Sequence, residues 1–411
     1  RVPYPRITLA NARHYPASRT ESRPECFALA AEGQRHVHVH VVDTDLEAVT
    51  LTLTAHLQGG GCAAIICTTV DRAIEVYRHL RDHLTDTECL LFHARTLRCW
   101  RRERETDVLR RFGKGEALSS GICPNSNRPH RAVLVATQVV EQSLDIDFDL
   151  MASELAPIDL LLQRSGRLHR HQRPRPGRLT NPTLLLLCDA GMTEPPPESF
   201  GKSIEYVYER YILLQTWLTM RQREEIVVPD EVEGLVEAVY GDQQCDCDDV
   251  WRIALAEARA RLDHDRNELE KAARRLLVGK PQCASDLVED FNGDLGDDDD
   301  PRIHEDVRAA TRQGPPSITV VMIPEDRALE PDPDQCETQE LIDLSVKLSH
   351  RGLFHTLRED KTPGEWNNNA HLRHARLLRL DEKGQGRIGE YVVAVDKECG
   401  IIIYKEGAID G

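Results

Sequence analysis

Short apolar runs alternate with longer segments of helical period along the first 190 residues. His36-Val37-His38-Val39-His40-Val41-Val42 changes character at every second position, as a half-exposed strand does. Leu46 to Leu57 follows with helical spacing. Ala63-Ala64-Ile65-Ile66-Cys67 is apolar without alternation, the pattern of a strand covered on both faces. Thr69 is placed to cap a helix that carries Ala73, Ile74, Val76 and Leu80. Leu90-Leu91-Phe92 predicts another buried strand, and Trp100 to Phe112 a charged amphipathic helix closed by Gly113. Ala132–Ala136, Leu150–Ser153 and Thr183–Cys188 complete the strand set. Strands alternating with helices predict a parallel sheet with right-handed crossovers, whose ligands gather beyond the carboxyl ends of the strands. Thr68, His93, Thr137 and Glu154 fall at those ends.

Beyond a Pro195-Pro196-Pro197 loop the period lengthens. Ser203 to Thr219 reads as one helix. Val250 to Val278 reads as a long one, roughly 40 Å at 1.5 Å per residue. The run Gly296-Asp297-Asp298-Asp299-Asp300 reads as a loop. From about Ser317 the pattern is that of a small α+β domain: strands at Ser317–Met322, Ala375–Leu380, Tyr391–Val395 and Ile401–Tyr404, and a helix at Leu341–Leu348. A length of 411 residues predicts two or three domains. The expected divisions are residues 1–195, 196–300 and 301–411.

Hydrophobic content of 40% suits a globular protein, and no apolar run is long enough to span a bilayer. A cytoplasmic location with no membrane partner is expected. The start, Arg1-Val2-Pro3-Tyr4-Pro5-Arg6, has neither an apolar h-region nor an initiator Met, so part of a longer protein or a processed product is expected. Twelve cysteines without repeated spacing, several inside apolar runs, read as free thiols. The tight pair Cys245-Asp246-Cys247 has too few companions for zinc. A net charge of −17 weighs against nucleic acid, but basic residues crowd at Arg95–Lys114 and Arg164–Arg178, enough for a local phosphate-binding face.

The most informative stretch is Val133-Leu-Val-Ala-Thr-Gln-Val-Val-Glu-Gln-Ser-Leu-Asp-Ile-Asp147, followed shortly by Gln163-Arg164-Ser165-Gly166-Arg167-Leu168-His169-Arg170-His171. Several arginines on one short turn repel one another unless an anion is expected there. Fixed guanidinium groups suit the charge that grows on a phosphoryl group in transfer. The two segments resemble motifs V and VI of superfamily 2 helicases. With Leu155-Ala156-Pro157-Ile158-Asp159, they resemble the CRISPR-associated helicase–nuclease of type I interference systems. Leu235-Val236-Glu237-Ala238-Val239-Tyr240 and Val395-Asp396-Lys397-Glu398-Cys399-Gly400-Ile401 extend the resemblance toward the end of the chain.

The resemblance implies an α/β fold: a RecA-like parallel sheet with flanking helices as second motor lobe (residues 1–195), a long linker helix, and a small α+β C-terminal domain. It implies ATP with Mg2+ as cofactor, held mainly by a first RecA-like lobe. Gln163, Arg167 and Arg170 are the expected catalytic residues, the last as arginine finger. Arg167 and Arg170 are expected at the carboxyl edge of the sheet, reaching across a cleft. Asp145 is expected to sense the nucleotide, and Thr68, Thr69, Arg95, Thr137 and Gln138 to face DNA. Ser143 stands where many helicases have Gly, and Gln142 is a supporting polar residue. Implied partners are single-stranded target DNA, the CRISPR surveillance complex, and a first lobe and nuclease domain supplied elsewhere. The chain alone is expected to be inactive.

Other candidates reduce to local structure. Gly201-Lys202-Ser203 lacks the upstream Gly of a P-loop, with Pro196 in its place. Asp230-Glu231-Val232-Glu233 follows Pro229 as a helix start does. His36, His38 and His40 read as the polar face of a strand, and His264-Asp265 is too little for a nuclease centre. Two rival readings are a truncated non-catalytic module that binds DNA or a surveillance complex, and a superfamily 2 helicase acting on RNA.

Overall fold

The computed structural model describes residues 6–9, 25–28, 33–115, 125–141, 144–189, 196–241, 247–275, 317–331 and 333–405. Gln142, Ser143, Cys245, Asp246 and the run 296–300 lie outside the described residues. The chain folds as two units, residues 1–92 with 107–262 and residues 93–106 with 263–411.

In the first unit a short antiparallel pair, β1 (Arg6–Leu9) and β2 (Glu25–Ala28), stands apart from the main sheet. The main sheet is built from β3 (Arg35–Val42), β4 (Gly61–Ile66), β5 (Glu88–Phe92), β6 (Arg131–Ala136), β7 (Leu150–Glu154), β8 (Thr183–Leu187) and β9 (Glu225–Val228). They lie in the order β5-β6-β4-β7-β8-β3-β9. All are parallel except β9, which closes one edge antiparallel to β3. This is the expected parallel α/β sheet. β4, β7 and β8 are buried at every position, because layers on both faces exclude water from them.

The helices between strands are α1 (Leu46–Leu57), α2 (Val70–His83), α3 (Arg98–Phe112) and α4 (Ile158–Ser165). Thr69 caps α2 as expected, its hydroxyl accepting from the Arg72 N–H. Gly113 ends α3, where a Cβ would come within 2.2 Å of the Leu109 carbonyl. Helices α5 (Lys202–Val207), α6 (Arg210–Met220), α7 (Val232–Tyr240) and the 27-residue α8 (Asp249–Arg275) follow. Trp217, Trp251, Leu213 and Met220 pack with Ile158 and Leu161 of α4 in one cluster. The single helix expected over Ser203–Thr219 is in fact two. Tyr208 is extended (φ −125°, ψ 143°) and separates α5 from α6.

The second unit holds β10 (Ile318–Pro324), α9 (Gln335–Asp343), β11 (Ser345–Leu348), α10 (Arg351–Glu359), β12 (Arg376–Leu380), β13 (Gln385–Ile388), β14 (Tyr391–Asp396) and β15 (Gly400–Lys405). They form a three-stranded sheet, β11-β10-β12, and a meander, β13-β14-β15. The helix expected over Leu341–Leu348 is not there. Asp334 caps α9 earlier, accepting from the Glu337 N–H, and the helix is over by Leu344. Val346 then turns inward and Lys347 outward, a period of two that pairs with β10.

The α6 core supports the sheet from one side, which gives a direct test. Trp217→Ala is expected to lower unfolding stability by about 3–5 kcal/mol, because the side chain is fully buried. Leu51→Ala, at a position 71% exposed, is expected to shift it by less than about 0.5 kcal/mol in the same denaturant titration.

Candidate functional site

Helix α4 sets the site. It leaves the carboxyl end of β7 and runs back along the sheet. Its eight residues cover about 12 Å, close to the length of a five-residue strand. The chain therefore arrives beside the start of β7. There Leu168 bridges to Phe148, the Phe148 N–H donates to the Arg167 carbonyl, and the His169 N–H donates to the Phe148 carbonyl. His169 takes φ +46°, unusual for a residue with a Cβ. The hydrogen bonds on both sides of it hold that turn.

Arg164 is the anchor of α4. Its side chain is wholly buried, and its Nη2 lies 2.6 Å from Glu141 Oε1. Nε also donates to Glu141, Nη1 to Ser153 Oγ and the Glu154 carbonyl, and Nη2 to Tyr208 Oη. A buried guanidinium is tolerable only with its protons satisfied, and here each nitrogen has an acceptor.

Arg167 and Arg170 differ from Arg164. Arg167 is half-buried and donates from Nη2 to the backbone carbonyl of Glu141 at 2.8 Å. No ion pair to it is found among the described residues. Burial, then the nearby Arg170, holds its pKa below the usual arginine value. Arg35, which opens β3, donates to the Leu168 carbonyl and is likewise lowered by burial and by Arg170. Burial is the larger cause for both, and Asp145 and Asp147 act in the opposite direction on Arg167 and Arg35. Arg170 is exposed and pairs with exposed Asp145 at 2.6 Å. That bond, with a second from His171, holds the Asp145 carboxyl below the usual range. Gln163 is exposed on α4.

The expected placement of these arginines needs correction. They do not share the carboxyl edge with Thr68 and Thr137. Because α4 doubles back, their backbone lies at the amino end of β7, and their side chains flank the loop from β6 to β7.

Behind that loop lies a cluster that sequence reasoning missed. Asp147 and Asp149 are buried and bound by Arg128, Arg173 and Arg175. Arg175 reaches Asp147 at 2.8 Å and Asp149 at 2.5 Å. Burial pushes the Asp149 carboxyl up. Arg128, Arg175 and the Cys62 N–H outweigh it, and its pKa falls below the ordinary value. Half of the basic run Arg164–Arg178 is therefore structural. Much of α3 is also paired, with Arg110 and Arg111 on Asp107 and Arg111 on Glu88.

At the carboxyl edge, registers Ile66↔Ala136 and Ile66↔Ser153 bring Thr68, Thr137 and Glu154 to the same end of the sheet. Thr68 and Thr137 are buried, at 3% and 4% exposure, and among the described residues the Thr68 hydroxyl has no hydrogen-bond partner. Thr69 and Gln138 are half-buried, and Gln138 Nε2 donates to the Thr68 carbonyl. Glu154 accepts from the Thr68 N–H at 2.6 Å. Along this edge runs an open cleft of about 740 Å³. Asp43, Asp45, Glu75, Glu154 and Asp189 line it, with Arg72 already held by Glu75 and Glu154. Carboxylates outnumber cations along its walls.

His93 and Arg95 belong to the second unit. His93 is fully buried and its Nε2 donates to the Cys399 carbonyl. The Arg95 carbonyl accepts from the Ile401 N–H. Gly400, at φ +77°, permits this approach; a Cβ there would stand 2.5 Å from the Arg95 carbonyl. His36 pairs with Glu225, and among the described residues no group of three or more His, Cys, Asp or Glu could hold a metal. Gly201 precedes α5 at φ +97°.

Residues 59–173 match the family model for the C-terminal part of the CRISPR-associated nuclease/helicase Cas3, and residues 311–401 match that for the Cas3 C-terminal domain. The CRISPR-associated endonuclease/helicase Cas3 of Thermus thermophilus is 35% identical over 347 residues, covering 78% of this chain. The chain belongs to the Cas3 family, corresponding to its C-terminal portion. A crystal structure of T. fusca Cas3 with AMPPNP superposes with a TM-score of 0.72 at 27% identity over 92% of this chain. A chain of a structure titled "CRISPR RNA-guided surveillance complex, pre-nicking" does so at 0.73 and 26% over 98%. This chain spans 35% of the length of the Thermus Cas3 and 43% and 48% of the two solved chains. Among the described residues no helix is long and apolar enough to cross a membrane.

Buried Asp149 predicts a pH response. A carboxyl with a depressed folded pKa stabilises the fold above its unfolded pKa, about 3.9, and that stability is lost as pH falls through the folded value. Unfolding free energy is expected to fall below about pH 4. Asp149→Asn is expected to cost stability at pH 7 and to flatten the acid limb in denaturant titrations.

Proposed function

We propose that this chain is the second motor lobe, linker and C-terminal domain of an ATP-driven translocase that moves along single-stranded DNA in type I CRISPR defence. The observation that carries it is the half-buried Arg167, which donates to the Glu141 backbone carbonyl and has no ion pair among the described residues, with Arg170 nearby. A triphosphate presented by a first RecA-like lobe would be its anionic partner. The family membership and the AMPPNP-bound T. fusca Cas3 support the same assignment.

In this reading residues 1–195 form most of the lobe, 196–300 the linker, whose strand β9 joins the lobe's sheet, and 301–411 the C-terminal domain. Arg167 is pre-set by the Glu141 carbonyl and turns to the γ-phosphate. Arg170 exchanges the Asp145 carboxylate for phosphate oxygens as the arginine finger. Gln163 lies exposed on the same helix and orients polar atoms around them. ATP with Mg2+, held mainly by the first lobe, supplies the phosphoryl group and the driving free energy. In the first unit Thr68, Thr69, Thr137 and Gln138 are proposed to hold the DNA backbone, because backbone N–H groups and hydroxyls suit phosphate oxygens; in the second unit Arg95 is proposed to contact a DNA phosphate through its guanidinium group. Target cleavage falls to a nuclease domain outside this chain. The surveillance complex is the proposed recruiting partner, in line with the Cas3-like chain of the pre-nicking structure.

Arg170→Ala in the two-lobe protein is expected to leave DNA affinity near normal. It should cut DNA-stimulated ATP hydrolysis on the order of 10³-fold, the scale measured for arginine fingers. Undiminished hydrolysis would contradict the role. The chain by itself is expected to show no ATPase above background, and measurable turnover by it would place a complete nucleotide site within these residues.

A further inference from the structure

We propose that Tyr208 is a positioning residue that couples the strand-edge turn at Thr68–Gln138 to the motif VI arginines. The proposal rests on the motor reading above. It begins with a helix that breaks where its sequence does not require a break. From Lys202 to Met220 there is neither Gly nor Pro, and Ile204, Tyr211, Leu214 and Leu218 continue a helical stripe. Yet Tyr208 leaves the helix for an extended conformation, and α6 starts afresh at Arg210. Breaking a regular helix forfeits backbone hydrogen bonds, so other contacts must hold the extended residue.

Those contacts are made by the phenol. Tyr208 Oη accepts from Gln138 Nε2 at 3.1 Å and from Arg164 Nη2 at 3.2 Å. Gln138 Nε2 also donates to the Thr68 carbonyl at 2.9 Å. A carbonyl can only accept, so the atom facing it is the amide nitrogen, and both of its protons are used. On the other side Arg164 is fixed to Glu141, whose backbone carbonyl receives Arg167. A continuous polar path therefore runs from Thr68 through Gln138, Tyr208, Arg164 and Glu141 to Arg167. Every member is buried or half-buried, so each bond is stronger than at the surface and a shift in one is felt by the next.

The path joins the two halves of the site that α4 separates. A strand seated at the Thr68–Gln138 turn would compete for the Gln138 amide and change what Tyr208 receives. Arg164 would then settle anew between Tyr208 and Glu141, moving the carbonyl that pre-sets Arg167. Tyr208 touches neither DNA nor nucleotide in this scheme. It acts through Gln138 and Arg164.

The test uses the two-lobe protein and a single-stranded oligothymidine, measuring ATP hydrolysis against DNA concentration. Tyr208→Phe keeps the ring and removes the acceptor. It is expected to reduce the maximal stimulation by DNA about fivefold or more, the lower range of measured site–site couplings, while half-saturation by DNA stays within about twofold of wild type. Gln138→Leu cuts the path one link earlier and is expected to reproduce the loss of stimulation. The double variant is expected to lose no more than either single one, a non-additivity that general destabilisation would not produce. Stimulation of Tyr208→Phe equal to wild type, or losses that simply add, would overturn the coupling and leave the motor reading intact. A wild-type ATPase indifferent to DNA would overturn the motor reading itself.

Discussion

The buried ion pair between Arg164 and Glu141 is the constraint on which the site depends. Removing two charges from water is costly, and the pair is tolerable because neighbouring groups satisfy the rest of the guanidinium. It ties helix α4 to the loop that leaves β6, two segments with no backbone ladder between them. Its consequences are local and definite. With Arg164 fixed, α4 must double back along β7. With Glu141 fixed, its carbonyl is presented to Arg167. Lysine could not replace Arg164, since one ammonium cannot reach Glu141, Ser153 and Tyr208 from a planar fork.

Around this pin the chain sorts its arginines by environment. Arg164, Arg173 and Arg175 have buried acidic partners and hold structure. Arg167 and Arg35 donate to backbone carbonyls and are electrostatically uncomfortable. Arg170 rests on Asp145, both half in water. An exposed pair of this kind contributes only about 0–1 kcal/mol, so exchanging Asp145 for a phosphate costs little. The Asp145 carboxylate, bonded to both Arg170 and His171, holds Arg170 in place.

The strands were legible because a parallel sheet buries both faces and leaves runs such as Ala63–Ile66 and Leu184–Leu187 with no polar interruption. The motif spelling around Glu141 and Gln163–His171 was legible for the same reason a lock is recognised by its key: function fixes residue types at close spacing. What escaped depends on long-range pairing. Nothing local marks Asp147 and Asp149 as partners of Arg128 and Arg175, which lie 19 to 28 residues away. Arg35 opens a strand whose alternation gives no hint of a neighbour at Leu168. Tyr208 sits inside a helical period that the fold overrides through its hydroxyl. The placement of Arg167 and Arg170 at the carboxyl edge failed because strand ends were expected to gather every ligand group, whereas α4 carries part of the site to the other end of β7.

In the proposed motor, Arg167 and Arg170 are held ready for a triphosphate. An experimental structure of the two-lobe protein with a non-hydrolysable ATP analogue and Mg2+ tests it most directly. Both guanidinium groups are expected within hydrogen-bond distance of γ-phosphate oxygens, with the Arg170–Asp145 bond broken and the Arg164–Glu141 pair intact. Arg167 still on the Glu141 carbonyl and Arg170 still on Asp145, with the analogue bound elsewhere, would contradict it.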